Sequence, residues 1–178
     1  MTAERFSRLS QLMKQNNLQF MVLNPGASLT YLTGLHFHLM ERPIILLLNP
    51  DEIPILILPE LEVGKASASA IKLRTITYSD DPSSWQNAFN TAAEIINLDG
   101  KTIGVEPTSL RFLEIDYLNH AAPHTLLVSA SLILDSLRVQ KDAVELEAMR
   151  RAVIIAQNAL QNTVPFIKPG ETFPLALK

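Results

Sequence analysis

The sequence contains no cysteine among its 178 residues. Disulfides, zinc–thiolate sites and cysteine nucleophiles are therefore excluded together. A chain without cysteine fits a reducing compartment, and we expect a cytoplasmic protein. Glycine is also scarce, with six residues that stand singly, such as Gly100, Gly104 and Gly170. The sequence thus has no glycine-rich loop of the kind that binds phosphate groups.

Long runs of one kind of residue are absent as well. Lysine and arginine form no long run, and the formal net charge is −3. Because binding to a phosphate backbone needs clustered basic charge, we expect no nucleic-acid partner. The longest apolar runs, residues 43–48 and 53–58, are too short to cross a bilayer, so we expect no membrane partner. The first residues show no basic segment followed by an apolar stretch, and we expect no signal peptide.

Hydrophobic residues make up 47% of the chain, which is enough to bury a core and argues against disorder. Helical and strand patterns alternate along the sequence, and this alternation predicts an α/β fold. Near-continuous apolarity in the two longest runs indicates a sheet covered by helices on both faces. The predicted strands are residues 19–23, 43–48, 53–58, 73–78, 102–105 and 125–128.

The two longest apolar runs also predict a β-hairpin. Residues 43–48 and 53–58 are separated by the turn-forming residues 49–52. Pro54 lies inside the second run and cannot donate a backbone hydrogen bond. It therefore favours either an edge strand or a strand start.

Cap and periodicity signals predict the helices. Gly34 is expected to end a short helix over residues 28–33, and residues 60–70 are expected to be helical. Ser83 and Gln86 have the spacing of a capping box and predict a helix start. One face of that helix is formed by Trp85, Ala88, Phe89, Ala92 and Ile96. Further helices are predicted after Thr2, around residues 110–118, and from Ser129 to Leu137.

Residues 142–164 predict the longest helix. Its apolar stripe has helical spacing and consists of Leu146, Met149, Val153, Ala156 and Leu160. Glu147 and Arg151 are four residues apart and support it as an ion pair, and Pro165 ends it. A turn at residues 168–170 and a new apolar helix from Thr172 are expected to follow. Since the sequence contains only the start of this last helix, we expect the chain to be the N-terminal part of a larger protein.

The segment after Gly34 holds the densest group of candidate site residues, namely His36, His38, Glu41 and Arg42. On an extended segment, positions 36 and 38 face the same side, so the two imidazoles would be placed to share a metal ion. No third ligand follows at a fixed spacing. A polar loop before the first hairpin strand is therefore the better interpretation, and we assign no metal ligand.

The remaining candidates are weaker. Ser28 lacks the Gly-x-Ser-x-Gly pattern of a nucleophile elbow. Glu106 directly follows a predicted strand, but a lone carboxylate forms no acid–base pair. His120 and His124 are separated by Pro123 and cannot share a helix face. From the residues alone we expect no complete catalytic or metal site. An independent α/β enzyme would need a pocket built from residues 36–42 and Glu106.

Several segments together resemble the creatinase N-terminal domain family. Tyr31-Leu32-Thr33-Gly34, with Arg42 before an apolar hairpin, is similar to that family's Tyr-Leu-Thr-Gly signature. Single motifs of this kind are weak, and their order along the whole chain carries the resemblance. The other matching residues are Pro59-Glu60-Leu61-Glu62, Tyr78, Asp80, Trp85, Ile103-Gly104-Val105-Glu106, Leu137-Arg138, Lys141, Glu145, Met149-Arg150, Ala152 and Gly170-Glu171-Thr172.

The resemblance implies a mixed β-sheet flanked by helices over residues 1–137. Residues 138–178 would hold a long linker helix and the start of a pita-bread catalytic domain. The family comprises Xaa-Pro dipeptidases (prolidases), aminopeptidase P, creatinase and relatives. Their catalytic domain binds two divalent metal ions, manganese, cobalt or zinc, through two Asp, one His and two Glu. None of these ligands matches a residue of this chain, so we expect no cofactor within it.

For function, the resemblance implies an accessory domain of an Xaa-Pro peptidase that acts on short proline-containing peptides. Such a domain supports a homodimer and shapes the substrate entrance, for which His36, His38, Glu41 and Arg42 are the candidates. Arg42 either binds a peptide carboxylate or pairs with Glu41 or another acid. We expect the chain itself to be inactive. A stand-alone interaction module and a creatinase-like amidinohydrolase parent remain alternatives.

Overall fold

The computed structural model describes residues 2–167 and residue 170. Six strands are present within these residues, and each was predicted from the sequence to within two residues at either end. They are β1 (Phe20–Leu23), β2 (Ile45–Leu48), β3 (Ile55–Pro59), β4 (Arg74–Tyr78), β5 (Thr102–Val105) and β6 (Leu126–Ser129). The helices are α1 (Thr2–Gln15), α2 (Ala27–Thr33), α3 (Val63–Ala66), α4 (Trp85–Ile95), α5 (Phe112–Ala121), α6 (Ser131–Val139) and α7 (Ala143–Thr163).

The strands form one sheet in the order β4-β3-β2-β1-β5-β6. Strand β2 is antiparallel to both of its neighbours, whereas the pairs β3–β4, β1–β5 and β5–β6 are parallel. The expected mixed sheet and the hairpin of β2 and β3 are thus confirmed. Pro54 lies immediately before β3, which is an inner strand, so it marks a strand start and not an edge. Its carbonyl accepts a hydrogen bond from the Arg74 amide at 2.9 Å.

Helices cover both faces of the sheet. Along β1 the side chains alternate: Met21 and Leu23 face one core, and Phe20 and Val22 face the other. The first core is completed mainly by α1, α2 and α6, and the second by α4 and α5. All four residues of β1 and of β2 are buried. Two covered faces explain the near-continuous apolarity of the central strands.

The expected capping box at Ser83 and Gln86 is wrong. Helix α4 begins at Trp85, and the side chain of Ser84, its N-cap residue, makes no capping bond. Instead, the Asp81 carboxylate accepts the Ser83 amide at 2.9 Å and caps a 3-10 turn over Pro82–Ser84. This bond from the Ser83 backbone lowers the pKa of Asp81 below its ordinary value. Proline sets the backbone of the 3-10 turn, and the α-helix therefore starts later than the sequence pattern indicated.

The helix expected over residues 60–70 is shorter than predicted. It consists of a 3-10 turn, Glu60–Glu62, followed by the single helical turn of α3. The apolar face predicted for α4 is confirmed, since Trp85, Ala88, Phe89, Ala92 and Ile96 are all buried.

The chain divides into two units, Met1–Arg138 and Val139–Lys178. The longest element among the described residues of the second unit is α7. Its start at Asp142 is a capping box: Asp142 accepts the Glu145 amide, and Glu145 accepts the Asp142 amide, each at 2.9 Å. None of the residues of α7 is buried. Glu147 pairs with Arg150 at 3.9 Å, in place of the expected Arg151. The helix expected from Thr172 lies outside the described residues.

No helix within residues 2–167 combines the length and apolarity that a bilayer crossing requires.

Gly104 lies in the middle of β5, where the sheet leaves little space for a side chain. A Cβ atom at this position would lie 2.4 Å from Leu18 Cδ2 and 3.0 Å from Ala130 Cβ. Both neighbours are buried, so the added atom would have to displace packed side chains. We expect Gly104→Ala to lower the free energy of unfolding by about 1–3 kcal/mol through overpacking. Urea denaturation measures this change.

Gly64→Ala is the matched control, because no atom lies within 4 Å of its added Cβ and the residue is in α3. We expect this helical substitution to leave stability unchanged or to raise it by up to about 1 kcal/mol. Equal stability of the two variants would contradict the close packing of β5.

Candidate functional site

Residues 35–43, called the 35–43 loop below, join α2 to β2 without regular structure. Its first half alternates in burial: Leu35 and Phe37 lie in the core, whereas His36 and His38 are exposed. The two histidines therefore project on the side away from the core, as an extended segment predicts. The next residues, through Glu41, are exposed too.

The beginning of the loop is fixed by the end of α2. Gly34 has a left-handed backbone, with φ of 74°, and donates its amide to the Thr30 carbonyl. The Thr30 hydroxyl donates to the Leu35 carbonyl at 2.8 Å. The hydroxyl of the buried Thr33 donates to Leu29 and accepts the Leu35 amide. The Thr-Gly of the sequence signature thus ends the helix and fixes the direction of the loop.

The end of the loop is fixed by β4 and the residues after it. The Tyr78 hydroxyl donates to the Pro43 carbonyl at 2.6 Å. Arg42 Nη2 lies 3.1 Å from Asp80 Oδ1, and the Asp80 side chain is 65% exposed. The partner of Arg42 in this structure is therefore Asp80 and not Glu41. The Asp80 carboxylate is open to solvent, so the guanidinium is not enclosed.

Burial raises the pKa of Tyr78 above its ordinary value of 10.0. Loss of hydration is the largest cause, and the positive charge of Arg42 opposes it. The negative charge of Glu114 adds to the increase. The phenol consequently stays neutral at ordinary pH and keeps its proton for the bond to Pro43.

The middle of the loop is fixed by Arg111, at the start of α5. Its Nη1 donates to the Met40 carbonyl. Its Nε donates to both carboxylate oxygens of Glu114, at 3.0 and 3.1 Å, and its Nη2 forms an ion pair with the same group. The Glu114 side chain has no exposed surface. Sequence reasoning missed this pair, although positions 111 and 114 have the spacing of an N-cap residue and its third helical residue.

Ser28 and Glu106 lie together, although they are 78 positions apart in the sequence. The Ser28 hydroxyl donates to Glu106 Oε1 at 2.9 Å and joins the start of α2 to the end of β5. Ser28 is buried. The side chain of Asn24, at the end of β1, is also buried, and its amide makes no hydrogen bond to a protein group. A buried amide of this kind is usually satisfied by an ordered water molecule.

The described residues offer no ligand set for a metal ion. Within residues 2–167, no three His, Asp or Glu side chains lie close enough to hold one. His120 and His124 do not share a partner: His124 Nδ1 lies 2.9 Å from Asp99, and His120 Nδ1 lies 2.8 Å from the Asp116 carbonyl oxygen. The Asp99 carboxyl has a lowered pKa, because the His124 side chain and then its amide bond to it.

This geometry defines a class of domain. Helices cover a mixed sheet, and a loop without regular structure, held by hydrogen bonds, lies at the end of the sheet where β2 begins. Residues 5–140 match the model of the Creatinase/Prolidase N-terminal domain family. The chain belongs to that family, as its sequence resemblance predicted.

Two dipeptidases that are similar to this chain are about twice its length. YkvY from Bacillus subtilis (strain 168), named as a dipeptidase, is 24% identical over 93% of this chain and 46% of its own length. Dipeptidase PepE from Mycobacterium ulcerans is 26% identical, with a TM-score of 0.80 over 96% of this chain and 45% of its own. The chain therefore spans about half the length of the curated relatives it matches.

An isolated domain of the same fold has also been solved. The Creatinase/Prolidase N-terminal domain of an X-Pro dipeptidase from Streptococcus pyogenes has a TM-score of 0.64 at 22% identity. The match covers 76% of this chain and 99% of that one. At this identity the likeness shows the fold alone.

The buried phenol predicts a particular dependence of stability on pH. The pKa of Tyr78 is higher in the folded protein than in the unfolded chain. The contribution of this phenol to stability is therefore fully present below pH about 10. Above that pH the unfolded phenol ionises while Tyr78 stays protonated, so we expect the free energy of unfolding to fall. Tyr78→Phe should remove this part of the slope, and should cost about 1 kcal/mol at pH 7 through loss of the bond to Pro43.

Urea denaturation between pH 7 and pH 11, followed by tryptophan fluorescence, measures both effects. Slopes that are identical in the two proteins above pH 10 would contradict the burial of the Tyr78 phenol.

Proposed function

We propose that this chain is the N-terminal domain of a metal-dependent Xaa-Pro dipeptidase, which cleaves the Xaa-Pro bond of short peptides. The similar proteins named as dipeptidases support the proposal, as does the X-Pro dipeptidase whose N-terminal domain has the same fold. In this proposal the whole protein is a cytoplasmic homodimer. The 35–43 loop shapes the entrance through which the peptide reaches the active site.

One observation supports the proposed role of the loop: its backbone is held by hydrogen bonds, while its polar side chains are exposed to solvent. Neighbouring elements bond the backbone at Leu35, Met40 and Pro43. His36, His38 and Glu41 are left exposed. A dipeptide carries an amine and a carboxylate. The carboxylate of Glu41 can accept hydrogen bonds from the amine, and the imidazoles of His36 and His38 can donate to the carboxylate. Binding residues are typically found on loops that a rigid scaffold holds in place.

Arg42 is the fourth candidate. Its ion pair with the exposed Asp80 holds the guanidinium near the end of the loop. A peptide carboxylate would compete with Asp80 for the guanidinium, which can bind a carboxylate through two donors at once.

In this proposal, catalysis takes place in a different domain of the full-length protein. Two divalent ions, manganese, cobalt or zinc, would activate water in a catalytic domain outside this chain. The described residues do not fit such a pair of ions, because no group of three ligating side chains is present among them. We therefore assign no chemical step to the chain, and give its loop a role in binding and orienting the peptide.

The first test compares the 178-residue chain with the full-length product of its gene. We expect the full-length protein to hydrolyse a Leu-Pro dipeptide, with manganese added, and to lose this activity on chelation. The chain alone should show none. A Leu-Leu dipeptide is the control for specificity. A reading frame that ends at Lys178, or Leu-Pro hydrolysis by the chain alone, would contradict the proposal and favour a stand-alone module or an independent enzyme.

The second test separates the two roles of Arg42 in the full-length enzyme. Arg42→Ala and Asp80→Asn both break the ion pair, but only the first removes the guanidinium. If Arg42 binds the peptide carboxylate, we expect Arg42→Ala to lower kcat/KM for Leu-Pro by about 10- to 150-fold, since a hydrogen bond to a charged group contributes about 1.5–3 kcal/mol. Asp80→Asn should leave the value within about twofold. Equal losses in both variants would show that the pair only holds the loop.

A further inference from the structure

The Arg111–Glu114 pair is unusual because its carboxylate is fully buried. Glu114 has no exposed side-chain surface, whereas Arg111 is 29% exposed. Burying an ionised carboxylate is costly unless it is paired and hydrogen-bonded. Here the Arg111 amide bonds to Oε2 at 3.2 Å, and the guanidinium binds both oxygens through Nε and Nη2.

These bonds orient the guanidinium. A planar guanidinium that is bound along one edge has few remaining orientations. The third guanidinium nitrogen, Nη1, does not bond to Glu114. It donates a hydrogen bond to the Met40 carbonyl, 71 positions earlier in the chain. Met40 lies in the exposed middle of the 35–43 loop, between His38 and Glu41. Leu39 and Met40 are themselves 42% and 59% exposed, so core packing does not hold this stretch in place.

We propose that Arg111 and Glu114 are a positioning pair for substrate binding, which holds the middle of the 35–43 loop so that His38 and Glu41 face the peptide. This inference rests on the proposed function of the loop. Thr30 and Tyr78 fix the two ends of the loop. Among the hydrogen bonds and ion pairs of the described residues, the Arg111 bond is the one that reaches the exposed stretch between them.

The informative variant removes both charges at once. Arg111→Met alone would leave a buried carboxylate unpaired and endanger folding. The double variant Arg111→Met, Glu114→Gln leaves no unpaired charge and loses the bond to Met40. Arg8→Met is the matched control, because Arg8 Nη2 also donates to a backbone carbonyl, that of Ser136, at 3.0 Å. That bond joins α1 to α6 and does not involve the loop.

The first measurement is made on the 178-residue chain and does not depend on activity. We expect the ¹⁵N order parameters of residues 39–41 to fall from about 0.85 to below about 0.6 in the double variant. They should stay unchanged in Arg8→Met. Order parameters that also stay high in the double variant would overturn the proposed positioning role, whatever the enzyme does.

The second measurement is made on the full-length enzyme with Leu-Pro. A loosened loop must be ordered again when the peptide binds, so we expect KM to rise roughly three- to tenfold with kcat unchanged. Arg8→Met should leave both constants unchanged. If the order parameters fall while KM is unaffected, the pair does hold the loop, and the proposed entrance role of the loop is wrong. A fall in kcat at constant KM would overturn positioning for substrate binding.

Discussion

Strand β1 is the element on which the remaining structure depends. It lies between the antiparallel β2 and the parallel β5, so both of its backbone edges are hydrogen-bonded. All four of its side chains are buried, two on each face of the sheet. A short strand buried in this way is stabilised only if helices cover both faces, because its apolar side chains and backbone groups have no access to water. The two helical layers of the first unit satisfy this requirement.

The direction of β2 determines where the candidate site lies. Since β2 is antiparallel to β1 and β3, and the other pairs are parallel, five strands end at the edge where β2 begins. The 35–43 loop, which leads into β2, therefore meets the carboxyl ends of those five strands. Tyr78 ends β4, and Glu106 follows β5, at this edge. Ligand sites of open α/β sheets commonly lie at such an edge, where strand order and direction change.

The loop is held mainly through its backbone. Three carbonyl groups, those of Leu35, Met40 and Pro43, accept side-chain hydrogen bonds from three different elements. Because the donors belong to neighbouring elements, the polar side chains of the loop are not used to hold it, with the exception of Arg42. A loop fixed in this way can present His36, His38 and Glu41 without regular secondary structure. Preorganised groups of this kind lose less conformational freedom when a ligand binds.

The sequence by itself determined the local elements. Apolar periodicity predicted the strands and the buried face of α4, and Gly34 predicted the end of α2, because each depends on residues a few positions apart. The order of weak motifs predicted the family, and the histidine spacing predicted two imidazoles on the same side of an extended segment. Where two local signals competed, as at Asp81 and Ser83, the sequence pattern indicated the wrong cap.

Only the tertiary structure decided which distant groups meet. Tyr78 and Pro43 are 35 positions apart, and Arg111 and Met40 are 71 apart. These contacts depend on the order and direction of the strands, which local periodicity does not encode. The pairing of Arg42 with Asp80, and of Ser28 with Glu106, has the same origin. The physical reason is that propensity and periodicity act within a few residues, whereas hydrogen bonds between elements exist only after the sheet has brought those elements together.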